Sequence, residues 1–219
     1  MRTATDSGVA SAARWRLLSL GFAPPTEEIV RELEVLAESL GELEELVESL
    51  RETGSEALAA QYQALFGGSV RISPYEGGYE LDPVRQGREM ADVAAFYRAF
   101  GADAHGPAAE RPDHAGCELE FLAYLELRRL AAVEAGDEDS ASLVDDIATG
   151  FLRDHAGRWL PAFFSDVHDA AGEQPVHRLL AELGAQTIGV ELERRDVDCV
   201  PSARRGLQES VERDSFDCG

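Results

Sequence analysis

The chain has 219 residues, of which 44% are hydrophobic, and this is enough apolar content for one sizeable buried core. It carries 42 acidic residues against 20 basic ones, all of them arginine, so its net charge is −22 at pH 7. A surface this negative repels nucleic acid and anionic membranes and favours basic partners, so we expect no nucleic-acid partner. High acidity is also typical of proteins from a salty cytoplasm, and the composition leaves this alternative open.

The N-terminal segment does not resemble an export signal or a membrane span. Arg14 and Arg16 interrupt the region where a signal peptide needs an apolar run, and no stretch of about 18 apolar residues occurs anywhere. Three cysteines are present, at Cys117, Cys199 and Cys218. They are too few and too widely spaced for a disulfide framework or a four-ligand zinc site. The sequence therefore predicts a cytoplasmic protein that does not insert into a membrane.

Helical periodicity dominates the first half of the chain. Apolar residues alternately four and three positions apart over 29–50 predict one amphipathic helix that begins after Thr26. A second helix is predicted over 55–66, ended by a pair of glycines at 67 and 68. Because Pro74 and the glycines at 77 and 78 disfavour regular structure, residues 73–81 are predicted to form a loop.

Helices also account for the second half. Asp82 before Pro83 predicts a helix start. Its inner face is predicted to carry Met90, Val93, Tyr97 and Phe100, with Gly101 at its end. A helix with a wide apolar arc, typical of a central helix, follows from Pro112. After an acidic linker over 134–139, further helices are predicted around 143–152, 159–167 and 175–192.

No stretch alternates in the manner of a β-strand, so the fold class is predicted to be all-α, a single-domain helical bundle. This domain is expected to span residues 1–192. Residues 193–219 are polar and lack an apolar stripe, which predicts an acidic, disordered C-terminal tail.

Signatures of common enzymes are missing from the sequence. A phosphate-binding P-loop needs a lysine, and the chain has none. One alternative is a metal-dependent hydrolase on an all-α scaffold that uses His114, His155 and His168 with nearby carboxylates. Another is a helical scaffold that dimerises through 29–50. The His168-Asp169 doublet could bind a metal with His155, but adjacent residues on a helix point in different directions, so no metal site is predicted.

Four short segments, in order along the chain, resemble motifs of the TorD/DmsD/NarJ chaperones. Tyr62, Leu65 and Phe66 have the aromatic-x-x-Leu-Phe spacing of that family, and Tyr75, Glu76 and Tyr79 lie in a segment similar to its P-Y-E-x-x-Y loop. The sequence Glu110-Arg-Pro112-Asp113-His114 is similar to its E-x-P-D-H motif, and Glu118 opens the E-L-x-F-L helix that follows. His155, Trp159, Pro161 and Phe163 resemble the later H-x-x-x-W-x-P-x-F element.

The resemblance covers most of residues 10–190, and the proline position in E-x-P-D-H favours the nitrate reductase and related delta-subunit branch. It implies a TorD-like helical bundle that is not an enzyme. The implied partner is the apo catalytic subunit of a molybdopterin oxidoreductase, held through its twin-arginine leader until the cofactor is inserted. No cofactor is expected, although the resemblance also allows weak binding of a guanine nucleotide or of molybdopterin guanine dinucleotide. Both a monomer and a domain-swapped dimer are compatible with the family.

The same resemblance implies a client-binding site. Its predicted members are Tyr62, Leu65, Phe66, Tyr75, Glu76, Tyr79, Glu110, Pro112, Asp113, His114 and Glu118. The loop 73–81 and the junction 110–114 are predicted to line one surface, where carboxylates would pair with the leader's arginines. For the junction, helix capping explains the residues equally well. Tyr62, Leu65 and Phe66 are favoured as core anchors, as is Trp159, and His114 is predicted to lie beside Glu118.

Overall fold

The computed structural model describes residues 4–67, 72–80, 82–102 and 110–202. Within these ranges the chain forms eight α-helices, a four-residue 3-10 turn at Glu76–Tyr79 and a five-residue π-helical segment at Leu152–Ala156. The α-helices are α1 (Ala4–Gly21), α2 (Glu27–Leu40), α3 (Glu44–Phe66), α4 (Pro83–Ala99), α5 (Ala115–Glu134), α6 (Glu138–Phe151), α7 (Gly157–Ala171) and α8 (Pro175–Arg194). The predicted all-α class is confirmed.

The core lies between α5, α1 and α6 on one side and between α7 and α8 on the other. An aromatic cluster joins the two parts around Phe163, whose ring centroid lies 5.1 Å from that of Phe22 and 5.4 Å from that of Trp159. Phe22 continues the chain directly after α1, so this connection ties α1 to α7. Among the described residues, the helices are too short or too polar to cross a membrane.

Helix α1 was not predicted, although it is a central element of the core. Leu17 and Leu18 are fully buried, and Leu20 is 1% exposed. These neighbouring positions point in different directions around a helix, so α1 is apolar on more than one side. A helix buried in this way lacks the one-sided periodicity by which amphipathic helices are recognised.

The single helix predicted over 29–50 is wrong, because the chain breaks after α2. Gly41 has φ +66°, in the left-handed region that favours glycine, and its N–H bonds to the Glu38 carbonyl at 3.1 Å. Helix α3 then runs to Phe66, with a kink at Gly54 where φ is +69°. Both helices bury their apolar sides in the same core, so the hydrophobic pattern continues through the break.

The predicted start of α4 is confirmed, since the Asp82 side chain accepts a hydrogen bond from Val84 N at 2.9 Å. Val93 and Tyr97 are buried as predicted, but Met90 is 36% exposed. On α6, Leu143 is 59% exposed. Apolar spacing alone therefore misplaced the Met90 side chain.

The C-terminal boundary was predicted at residue 192, but helix α8 continues to Arg194 and the next residues contact the helical body. The Arg195 side chain is 4% exposed and donates to Thr149 Oγ1 at 2.9 Å. Ser202 N donates to the Arg158 carbonyl at 2.9 Å. The rest of the predicted tail, 203–219, lies outside the described residues, so its disorder stays a prediction.

Candidate functional site

The two segments predicted to share a surface do meet in the structure. Tyr75 and His114 form an isolated antiparallel bridge. Beside it, Glu76 N donates to the Asp113 carbonyl and Ala115 N donates to the Pro74 carbonyl, both at 2.8 Å. These backbone bonds fix the loop after α3 against the N-terminal end of α5.

His114 is the residue that caps helix α5. Its Nδ1 accepts a hydrogen bond from Gly116 N at 3.0 Å, and its carbonyl accepts from Glu118 N at 3.1 Å. Burial lowers the pKa of His114 to about 4, so the ring is neutral at pH 7 and Nδ1 is free to accept. The capping explanation of the junction is thus confirmed for His114.

Asp113 connects the junction to the loop instead of capping the helix. Its carboxylate is paired with Arg111, with Nη2 and Oδ2 2.8 Å apart, and accepts from Gly77 N at 3.3 Å. Asp113 is fully buried, whereas the Arg111 side chain is 53% exposed. The aspartate therefore already has an arginine partner within the chain.

Several predicted site residues lie below the surface. Glu76 is 2% exposed, and His114 and Glu118 are 1% and 0% exposed. Tyr79 is also buried, with its ring centroid 5.3 Å from that of Trp159. Their contact with a client stays a prediction, but in this conformation their visible role is to hold the junction together.

Four neighbouring residues of the same junction remain accessible, and we call them the motif surface: Tyr75, Glu110, Arg111 and Pro112. The Tyr75 hydroxyl donates to Glu110 Oε2 at 3.0 Å, and the Arg111 guanidinium lies 4.6 Å from the Tyr75 ring centroid. Burial, reinforced by the bond to Glu110, raises the pKa of Tyr75 to about 12. The phenol therefore stays protonated, and the half-buried Glu110 carboxylate has acceptor capacity left.

Tyr62, Leu65 and Phe66 are core residues of α3, as the packing alternative predicted. They are 6%, 2% and 8% exposed. The Phe66 ring centroid lies 4.9 Å from that of Tyr62 and 6.0 Å from that of Phe163. Burial, followed by the charge of Glu110, raises the pKa of the Tyr62 phenol.

Glu118 has a partner that the sequence did not indicate. Its Oε2 accepts a hydrogen bond from the indole N–H of Trp159 at 2.9 Å, which ties α5 to α7. The spacing had placed Glu118 beside His114, but its carboxylate points to the tryptophan. Trp159 is fully buried, as expected of a packing residue. The pair lies far apart in sequence, so no local pattern could have revealed it.

A second surface feature is an open groove of about 640 Å³ between α2 and α3. Its lining combines apolar side chains with four glutamates and one arginine: Ala37, Glu38, Gly41, Leu43, Glu44, Val47, Glu48, Arg51 and Glu52. Arg51 is paired with Glu38. We call this feature the acidic groove.

The histidine set proposed for a hydrolase is not assembled. His114 caps α5, while the half-exposed His168 has Nε2 3.3 Å from Glu182 Oε1. His155 is buried, with Nδ1 3.3 Å from Glu76 Oε2. Within the described part of the chain, no hydrogen bond, ion pair or ring contact joins any two of these three histidines.

A family model described as nitrate reductase delta subunit matches residues 33–165, more than half of the chain. The chain belongs to this family. The matched region contains all four motifs and both segments of the junction, and the suspected relationship to the TorD and NarJ type is confirmed.

Curated relatives agree with the family assignment. The selenate reductase assembly chaperone protein of Thauera selenatis is 40% identical over 111 residues, which are 49% of this chain and 56% of that protein. The chlorate reductase assembly chaperone protein of Ideonella dechloratans is 37% identical over 113 residues, 50% of this chain and 57% of that protein. The chain thus spans little more than half the length of these relatives, whose names are those of chaperones and not of enzymes.

More distant comparisons extend the match. The chaperone protein TorD of Vibrio cholerae is 28% identical over 139 residues, 63% of this chain and 60% of that protein. The crystal structure of a redox enzyme maturation protein from Archaeoglobus fulgidus superimposes with a TM-score of 0.59 over 81% of this chain and 93% of that one. At 23% identity, this likeness shows a shared fold.

Proposed function

We propose that this protein is an assembly chaperone for the catalytic subunit of a molybdopterin oxidoreductase and that it acts in the cytoplasm. The family assignment and the names of the matched relatives support a chaperone. The observation that carries the proposal is the meeting of the loop around Tyr75 with the junction around His114, which joins two family motifs in one surface. The client would be the subunit before its cofactor is inserted.

The proposed ligand is the client's twin-arginine leader, a pair of arginines followed by an apolar segment. Glu110 is the accessible carboxylate of the motif surface, and among the described residues the group that binds it is a neutral phenol, so it can accept a guanidinium. The Tyr75 ring is rigid and half-buried, which suits contact with the leader's apolar part. Holding the leader would delay export until the client has folded, and no covalent bond would be made or broken.

The test is calorimetric titration of a synthetic twin-arginine peptide into the full-length chain. We expect Glu110→Gln to weaken binding about tenfold, since a charge-assisted hydrogen bond contributes about 1.5 kcal/mol. Asp169→Asn is the control, because Asp169 is an exposed carboxylate on α7 with no hydrogen bond or ion pair to the described residues of the motif surface. Substituting Asp113 or His114 would be a poorer test, since both are buried and help to hold the fold.

A further variant separates the two surfaces. Glu48→Gln removes an exposed carboxylate that lines the acidic groove and should leave peptide affinity unchanged. If Glu48→Gln weakens binding and Glu110→Gln does not, the leader binds in the acidic groove and its placement on the motif surface is wrong. If the parent binds neither the peptide nor an unfolded reductase subunit, the proposed function itself is refuted.

A further inference from the structure

Beneath the motif surface, three ionisable side chains from three separate elements converge. Glu76 comes from the 3-10 turn, Glu89 from α4 and His155 from the π-helical segment. Each side chain offers one possible ligand atom, and these three atoms all lie within 4.8 Å of one another. Among the described residues they therefore form a group that could hold a metal ion. These residues are far apart in sequence, so the sequence predicted no such set.

The distances within this cluster fit a shared cation better than a direct hydrogen bond. His155 Nδ1 lies 3.4 and 3.3 Å from the two carboxylate oxygens of Glu76 and 3.9 Å from Glu89 Oε2. Charge-assisted hydrogen bonds of N–H to carboxylate are shorter, about 2.7 to 2.9 Å. Ligand atoms bound to one metal ion at about 2.1 Å lie about 3 to 4 Å apart.

The surroundings carry more negative than positive charge. Arg158 is the cation beside the cluster, with Nη1 3.4 Å from Glu89 Oε1. Asp113, which precedes α5 and pairs with Arg111, and Glu118 of α5 are two further buried carboxylates, and among the described residues Oε1 of Glu118 has no hydrogen-bond partner. Carboxylates gathered around one point repel one another, and a divalent cation held between Glu76 and Glu89 would offset that repulsion.

We propose that Glu76, Glu89 and His155 form a binding site for a first-row divalent transition-metal ion, with zinc as the first probe. One imidazole nitrogen and two carboxylate oxygens are a donor set that such ions accept, and water would complete the coordination. His155 is 1% exposed, and its Nδ1, the ring nitrogen that faces Glu76, is the atom that would bind the ion. The Glu89 side chain is 19% exposed, which gives a hydrated ion a route to the site.

The ion would be structural. It would cross-link the 3-10 turn, which directly follows Tyr75 in the chain, to α4 and to the segment before α7. This proposal does not depend on the proposed function, because it concerns the metal and the stability of the chain alone.

The test uses the tag-free, full-length chain, stripped with a chelator and titrated with zinc chloride in excess magnesium chloride. Excess magnesium occupies the weak cation sites on the acidic surface, so the zinc that still binds reports a zinc-selective site. We expect one zinc ion per chain and a higher unfolding temperature with zinc. Glu89→Gln should weaken zinc binding tenfold or more, and Glu89→Asp, which keeps the charge beside Arg158 but shortens the side chain, should also weaken it.

Glu182→Gln is the matched control, since Glu182 pairs with the exposed His168 in the same kind of contact. It should leave zinc affinity unchanged. The proposal is overturned if zinc does not saturate at one equivalent, if Glu182→Gln weakens binding as much as the Glu89 variants, or if both Glu89 variants bind zinc like the parent.

Discussion

Buried ionisable side chains are a recurrent feature of this protein, and His177 on α8 is the simplest example. It is fully buried, its ring centroid lies 6.0 Å from that of Phe66, and neither ring nitrogen has a hydrogen-bond partner in the part of the chain that the structure describes. Burial lowers its pKa to about 4. Because the unfolded chain binds the proton more readily between about pH 6.5 and 4, His177 makes the fold less stable as the pH falls through this window.

Replacing His177 with leucine should therefore stabilise the fold and flatten its pH dependence. At pH 8 the variant should have the higher free energy of unfolding, because an apolar group replaces an unpaired imidazole in the core. This difference should grow by about 3 kcal/mol between pH 8 and pH 4. Urea denaturation of parent and His177→Leu at several pH values measures the difference. If the free energies of unfolding of parent and variant differ by the same amount from pH 8 to pH 4, His177 is not buried in its neutral form.

Glycine positions decide where the helices of the N-terminal half end. Gly41 separates α2 from α3 with a positive φ, whereas Gly87 lies inside α4 with open space where a Cβ would project. The same substitution should thus have opposite effects at the two sites, since alanine disfavours the left-handed region and favours the helix.

We expect Gly41→Ala to lower the free energy of unfolding by about 1 kcal/mol. Gly87→Ala should raise it by about 0.5 to 1 kcal/mol. Chemical denaturation followed by far-UV circular dichroism measures both. A Gly41→Ala protein that is more stable and more helical than the parent would mean that the continuous helix predicted over 29–50 can form after all.

At the scale of the whole molecule, the net charge of −22 dominates. Many arginines are already paired with carboxylates, such as Arg16 with Glu32 and Glu120, so the excess acids repel one another. Dissolved salt screens this repulsion, and it also screens attraction to a cationic peptide.

Sodium chloride should accordingly have opposite effects on folding and on binding. Between about 0.02 and 0.5 M salt, where the screening length falls from about 20 to about 4 Å, we expect the unfolding temperature to rise and the affinity for a twin-arginine peptide to fall. Thermal scans and calorimetry in the same buffers measure the two quantities. A lower unfolding temperature at high salt would mean that the surface ion pairs outweigh the repulsion.

The sequence by itself determined the fold class, most helix positions and the family, because these depend on local patterns. Apolar periodicity marked the amphipathic helices, Asp82-Pro83 marked a helix start, and four ordered motifs marked the relationship. It missed α1, since a helix apolar on several sides has no one-sided stripe. It also ran through the break at Gly41, because α2 and α3 face the same core.

Only the tertiary structure decided how the motif residues are buried and paired. The resemblance to the family motifs grouped Tyr75, Asp113 and His114 correctly, but it could not show that Asp113 and His114 are buried or that Arg111 already pairs with Asp113. Nor could it place Trp159 on Glu118, or Glu89 beside His155. Exposure and pairing depend on contacts between residues distant in the chain, and these exist only once the helices have packed.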